Sequence, residues 1–231
     1  MTVDELVTYV FGDTPSSLAS LCTGWMSESR QFKRFVETYR DKLRKKVRTA
    51  RGEPALLDLE AEVATAFRLV QEHRFGVTWE PLAAGSGRGP DFAVDVTPRL
   101  RFYVEVTRPR LRLGATRHQA GTDGGSDAAS VQLATAICAK LTQLPPGAIN
   151  VLVLAGTDSR IADIAQVMKD LKRRAERQDE AFFTHRGFAS ARIFTTTSYR
   201  LSAILLPDGG LWLNPEARRP LPVSVASALQ G

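Results

Sequence analysis

The chain has 231 residues, of which 43% are hydrophobic, 24% charged and 8% aromatic, with a formal net charge of +6. This composition excludes collagen-like, disordered and disulfide-scaffold classes and leaves room for one domain plus an appendage. The two cysteines, Cys22 and Cys138, lie far apart in apolar contexts, and Asp4 and Glu5 stand where a signal peptide needs basic residues, so a soluble, cytoplasmic protein with no membrane partner is expected.

Residues 1–50 are expected to be helical. Phe32, Phe35, Val36, Tyr39, Leu43 and Val47 recur at intervals of three and four, forming one apolar stripe with Lys and Arg filling the rest of the wheel. Between Arg30 and Arg51 ten Lys or Arg stand against Glu37 and Asp41 alone, so this segment carries +8 and the remaining chain −2. Basic charge concentrated on one element is the footprint of a polyanion binder, with Lys42, Lys45 and Lys46 as candidate phosphate contacts; it equally suits a solvated helix face. Arg51-Gly52-Glu53-Pro54 breaks the pattern and separates a basic helical N-terminal extension, 1–53, from an α/β domain, 54–231.

Leu56, Leu59, Val63, Ala66, Phe67 and Val70 mark the next helix, which ends before Gly76. The period then changes to two, predicting strands over 77–82, 91–96 and 100–107. Residues 108–126 hold four glycines and no sustained period, the signature of a long loop that is functional or disordered. Ser126 or Asp127 caps a helix through Val131, Ala134, Cys138 and Leu141, stopped by Pro145-Pro146-Gly147, and 149–154 is an apolar strand buried on both faces. Asp158 or Ser159 caps another helix, with Ile161, Ile164, Met168 and Leu171 on its stripe. Strands at 199–206 and 211–213 flank Pro207-Asp208-Gly209-Gly210 as a C-terminal hairpin.

Alternation places Phe92, Val94 and Val96 on one face of the second strand and Asp91 and Asp95 on the other. On the third strand Phe102, Val104 and Val106 oppose Tyr103, Glu105 and Thr107. With the apolar faces in the core, Asp91 and Glu105 are expected to converge away from it as hard oxygen ligands suited to Mg²⁺ or Mn²⁺.

Pro90-Asp91-Phe92 followed by Val104-Glu105-Val106-Thr107, in the order helix, three strands, helix, strand, resembles the PD-(D/E)xK nuclease superfamily and its restriction-endonuclease-like core. The resemblance covers residues 55 to 155 and rests on a short motif. It implies a metal-dependent nuclease that hydrolyses phosphodiester bonds in nucleic acid, DNA in the first place. Leu59-Glu60-Ala61-Glu62-Val63 is similar to the acidic element of the family's first helix, so Glu60, Asp91 and Glu105 are the implied metal ligands and catalytic residues. The position of the family's lysine is Thr107, whose neutral hydroxyl cannot stabilise charge at the scissile phosphate. Arg108 follows on the opposite face, whereas Lys140, at the flank of its helix's stripe, is the candidate replacement, as migrated lysines are in some members.

In this reading a divalent ion generates a hydroxide near neutral pH and polarises the phosphate. Arg108, Arg110, Arg112 and Arg117 grip phosphates without reading bases, and His118 is a candidate phosphate contact or proton shuttle. Two rivals stand beside it. One is a catalytically inert nucleic-acid binder of the nuclease fold, which the missing lysine favours. The other is a phosphate- or nucleotide-binding α/β protein that uses Gly156-Thr157-Asp158-Ser159 between a strand and a helix. Gly85-Ser86-Gly87-Arg88-Gly89, lying between strands, reads as a flexible connection. Trp212-Leu213-Asn214-Pro215 either completes the sheet or serves a homodimer.

Overall fold

The structure is a computed structural model that describes residues 1–12, 16–81, 89–109, 124–156 and 163–231. Among them the chain is mixed α/β, with nine helices and six strands, and forms two compact units.

The first unit comprises Met1–Trp79 and Val94–Leu100. It holds α1 (Val3–Phe11), α2 (Ser17–Glu28), α3 (Arg30–Thr49), α4 (Glu53–Gln71) and β1 (Gly76–Trp79). The helix expected over 1–50 is thus three helices. Gly12 ends α1 at φ +67°, a conformation that glycine adopts without a Cβ penalty. Ser29 serves two helices at once: its N–H closes α2 on the Trp25 carbonyl at 2.9 Å, and its Oγ accepts from Phe32 N at 3.2 Å to open α3. The stripe of α3 buries Phe32, Phe35, Val36 and Leu43, and Tyr39 interrupts the helix at φ −106°, ψ 16°.

Pro54 stands in the first turn of α4, as expected of a helix start. This helix packs with the N-terminal helices rather than beginning a separate body at residue 54. Phe67 stacks on Trp25 with centroids 5.0 Å apart and meets Phe32 edge-on at 5.2 Å, while Glu62 pairs with Lys46 at 2.5 Å. Aromatic packing across the Gly52 break explains why this unit runs past the 53/54 boundary.

The second unit comprises Glu80–Ala93 and Arg101–Gly231. Its elements follow as α5 (Gly124–Leu141), β4 (Ile149–Leu154), α6 (Ile164–Glu176), α7 (Glu180–Thr184), α8 (Ala191–Ser198), β5 (Ala203–Leu205), β6 (Leu211–Leu213) and α9 (Val223–Gln230). Before them comes β3 (Leu100–Thr107), all but its first residue in this unit, whereas β2 (Phe92–Thr97) is divided, Phe92 and Ala93 falling in this unit and its remaining residues in the first. All six strands form one mixed sheet whose order is the order of the chain. β3, β4 and β5 are parallel, and β6 returns antiparallel to β5 through the Pro207–Gly210 turn.

In the β3–β4 register Glu105 lies beside Leu152 and Thr107 beside Leu154, so these residues share a face. Leu152, Leu154 and Ile204 on that face pack into one core with Leu133, Ile137, Cys138 and Leu141 of α5, Val167 and Leu171 of α6, and Phe194 of α8. Val104, Val106, Val151 and Val153, which alternate to the other face, are buried as well. This part of the sheet is therefore covered on both sides, as β4's continuous apolar run requires.

Two expectations are corrected here. The strand expected over 199–206 is only Ala203–Leu205, because Tyr199 caps α8. Helix α8 went unread because Thr195-Thr196-Thr197 is β-branched and a poor helix former; burial of Ala191, Phe194 and Thr197 overrides that preference. No helix among the described residues is long and apolar enough to cross a membrane.

Candidate active site

Asp91 enters β2 with both its backbone and its side chain fixed. Its carbonyl accepts from Glu80 N at 2.7 Å, and its Oδ2 accepts from Val106 N of β3 at 2.7 Å. The carboxylate thus takes up a β3 backbone donor next to Glu105 in sequence.

Glu105 is 1% exposed, contrary to the expectation that it points away from the core. The alternation is as expected, but the face it shares with Leu152 is roofed by α5 instead of open. From that roof Lys140 reaches down, its Nζ 2.5 Å from Glu105 Oε1, with the lysine side chain 14% exposed. A buried carboxylate without a countercharge is costly, and Lys140 supplies one. Glu105 Oε2 is buried too and has no hydrogen-bond partner among the described residues. One oxygen of this carboxylate is therefore held by an ammonium, while the other is left for a ligand.

Thr107, at the lysine position of the motif, is half-buried at the C-terminal end of β3, and its carbonyl accepts from Ala155 N at 2.8 Å. Arg108 follows it against Gly156, where φ is +69° and a Cβ would stand 3.4 Å from Arg108 Cγ. The C-terminal ends of two parallel strands are the usual place for ligands in such sheets, and a small residue keeps this one open to the arginine. Nothing local in the sequence signals that contact; it follows only from the β3–β4 register.

Glu60 belongs to the helical unit. Its Oε2 accepts from Ser17 Oγ at 3.3 Å, and its charge adds to burial in pushing the Cys22 thiol up to about 12. Among the described residues no group of three or more His, Cys, Asp or Glu is placed to hold a metal ion. Asp91 and Glu105 both belong to the second unit. Mg²⁺ is commonly held by one or two carboxylates while retaining several waters, and the unpartnered Glu105 Oε2 fits that demand.

The basic helix differs from expectation at two of its three candidates. Lys42 Nζ donates to the Trp79 carbonyl at 2.9 Å and lies 5.4 Å from the centre of the Tyr39 ring. Lys46, paired with Glu62, lies 5.0 Å from the centre of the Trp79 ring. Both are half-buried and turned to the unit's own aromatic groups, where charge-assisted and cation–π contacts hold them. Lys45 is exposed. Arg110, Arg112, Arg117, His118, Gly85-Ser86-Gly87-Arg88 and Thr157-Asp158-Ser159 lie outside the described residues.

No family model matches the chain, and no curated protein or solved structure matches it.

Proposed function

We propose that the chain is a metal-dependent nuclease in which Lys140 takes the role of the lysine that Thr107 replaces. The Lys140–Glu105 pair carries this reading, because it brings a lysine from the following helix to the carboxylate that the motif nominates. The element order α4, β1, β2, β3, α5, β4, with β3 and β4 parallel, agrees with a restriction-endonuclease-like core.

Asp91 and Glu105 would hold one Mg²⁺ or Mn²⁺, which when bound polarises the phosphate and acidifies a water. Asp91 is oriented for this by Val106 N, and Glu105 is held by Lys140 through Oε1 with Oε2 left for the ligand. An ammonium has three donors, and one of those on Lys140 is engaged by Glu105, so the same group can donate to a phosphoryl oxygen as charge grows there. Arg108, at the end of β3, would grip the phosphate from the strand ends.

Burial of the pair favours one competing reading, an inert nucleic-acid binder in which Lys140–Glu105 is structural. The deciding experiment is cleavage of plasmid and single-stranded DNA with Mg²⁺ or Mn²⁺ by the wild type, Asp91→Asn, Glu105→Gln and Lys140→Met, with folding checked by circular dichroism. Metal-dependent cutting that all three folded variants lose is expected. Folded wild type that binds DNA without cutting it would establish the inert reading.

A further inference from the structure

Beyond the carboxylate pair, the second unit carries a pocket at the polar end of α6. It measures about 240 Å³ and opens between α5 and the end of α6. Val167, Leu171 and Ala134 line its apolar part, and Arg173, Arg174 and Arg177 its charged part, with Ser130 of α5 adding a hydroxyl.

The guanidinium groups are held in position. Arg174 and Arg186 flank the Phe182 ring, at 4.5 Å and 3.6 Å from its centre. Asp179 anchors Arg174 at 2.9 Å, Asp170 anchors Arg173 at 3.3 Å, and Arg186 donates to the Phe182 carbonyl at 2.9 Å. Arg177 has no ion-pair partner among the described residues. Three arginines, Arg173, Arg174 and Arg177, thus line the concavity with a single aspartate, Asp170, while Arg186 and Asp179 brace Phe182 and Arg174 from outside the lining. Cations at a helix C-terminus complement its dipole, but that role needs neither a shared pocket nor a ring wedged between two guanidiniums. Burial above all, with a smaller contribution from the charge of Arg174, holds the Arg186 guanidinium below its ordinary pKa.

We propose that this pocket is a phosphate clamp for a nucleic-acid strand, with Arg173 and Arg177 gripping a backbone phosphate and the Arg174–Phe182–Arg186 stack forming its wall. Guanidinium forks match phosphate oxygens in pairs, and an apolar floor strengthens the attraction by excluding water. Ser130 and Lys140 are ten residues apart on α5, about 15 Å at 1.5 Å per residue, so the clamp would hold the strand a few nucleotides from the Lys140–Glu105 pair. The proposal rests on nucleic acid as the ligand class of the preceding section, and not on the cleavage chemistry.

The test is anisotropy of a fluorescein-labelled single-stranded oligonucleotide, titrated with the full-length protein in EDTA at several salt concentrations. Arg173→Ser/Arg177→Ser is compared with Arg192→Ser/Arg218→Ser, which removes the same charge from exposed arginines elsewhere. The pocket variant is expected to bind about tenfold more weakly and to lose about 1.4 units of salt slope, well beyond the control. Phe182→Leu should fall between wild type and the pocket variant. Equal affinity and slope in the pocket variant and the control would overturn the proposal. So would inorganic phosphate that stabilises the wild type but not the pocket variant while both bind the oligonucleotide alike, since the pocket would then serve free phosphate. Arginine-dependent binding without any metal-dependent cutting would remove the nuclease reading and leave the clamp. Cutting and binding both indifferent to these arginines would do the reverse.

Discussion

Lys140 and Glu105, 35 residues apart in the chain, are joined at 2.5 Å in an ion pair whose acid is almost wholly enclosed. Removing one partner of such a pair strands a charge, whereas replacing both with apolar groups of similar volume does not. Lys140→Met is therefore expected to lose about 3–5 kcal/mol of unfolding free energy, and Lys140→Met/Glu105→Leu to recover most of it. Urea unfolding of the two variants measures this. Equal losses in both would mean that the pair contributes through packing alone.

Asp91 is expected to separate structure from chemistry. Alanine there leaves Val106 N without its acceptor, at a cost of about 1–3 kcal/mol, while asparagine retains an oxygen that can accept from the same donor. Asp91→Asn should thus keep nearly wild-type stability and lose the gain from divalent ion. Wild type at a Mn²⁺ concentration a hundred times its dissociation constant should gain about 2.7 kcal/mol. Thermal melts with and without Mn²⁺ read both effects, and identical shifts in wild type and Asp91→Asn would exclude Asp91 as a ligand.

In the basic helix, neighbouring lysines should behave differently. Lys42→Met removes a charge-assisted bond to the Trp79 carbonyl and is expected to lower stability by about 1.5 kcal/mol while leaving oligonucleotide affinity unchanged. Lys45→Ala, on an exposed side chain, should leave stability within about 0.5 kcal/mol and reduce the salt dependence of binding instead. Paired unfolding and anisotropy measurements on the two variants decide it; a Lys42 variant that binds more weakly at wild-type stability would contradict the assignment.

Both cysteines should be silent until the chain opens. Burial raises Cys22 and Cys138 from about 9 to about 12, so the thiolate that reacts with disulfide reagents is scarce in the folded protein. The unfolded chain ionises these thiols from about pH 9 and the folded chain only near pH 12, so their contribution to stability is full below pH 9 and falls between those values. Ellman's reagent at pH 8 should react slowly with native protein and at once in urea. Rapid labelling of the native protein would show that the burial is breached.

Gly156→Ala is expected to strain a backbone at φ +69° and to press a methyl group toward Arg108. The cost is about 1–2 kcal/mol, a melting point lower by about 2–8 °C in a chain of this size. A melting point equal to that of the wild type would show that the backbone there relaxes freely.

How far the sequence could be read depends on which forces act locally. β4 was legible to the residue because the unbroken run Val151-Leu152-Val153-Leu154, with Ile149 before it and Gly147 and Gly156 on either side, admits few alternatives, and Pro54 marked the start of α4 by its own stereochemistry. The double duty of Ser29 was written in the chain, yet the continuous 3.6 period around it hid the break. The depth of Glu105 was not legible at all. Alternation tells which residues share a face, but only the roof formed by α5 decides whether that face meets water. The expected flank position of Lys140 on its helix was enough to nominate it, and its reach to Glu105 needed the three-dimensional register. The Trp79 carbonyl that Lys42 meets and the Glu62 carboxylate that Lys46 meets were hidden for the same reason, since both lie on other elements.

From β3 onward, the order of strands in space is also their order in time. β4 pairs with β3, β5 with β4 and β6 with β5, so each strand leaving the ribosome finds the edge it needs already synthesised. No strand in this series has to wait for a later one, or leave a gap in the sheet to be filled from downstream. A chain interrupted after Leu154 would thus already hold both Glu105 and Lys140, together with the strand that backs them, while the hairpin that finishes the sheet arrives last and alters neither.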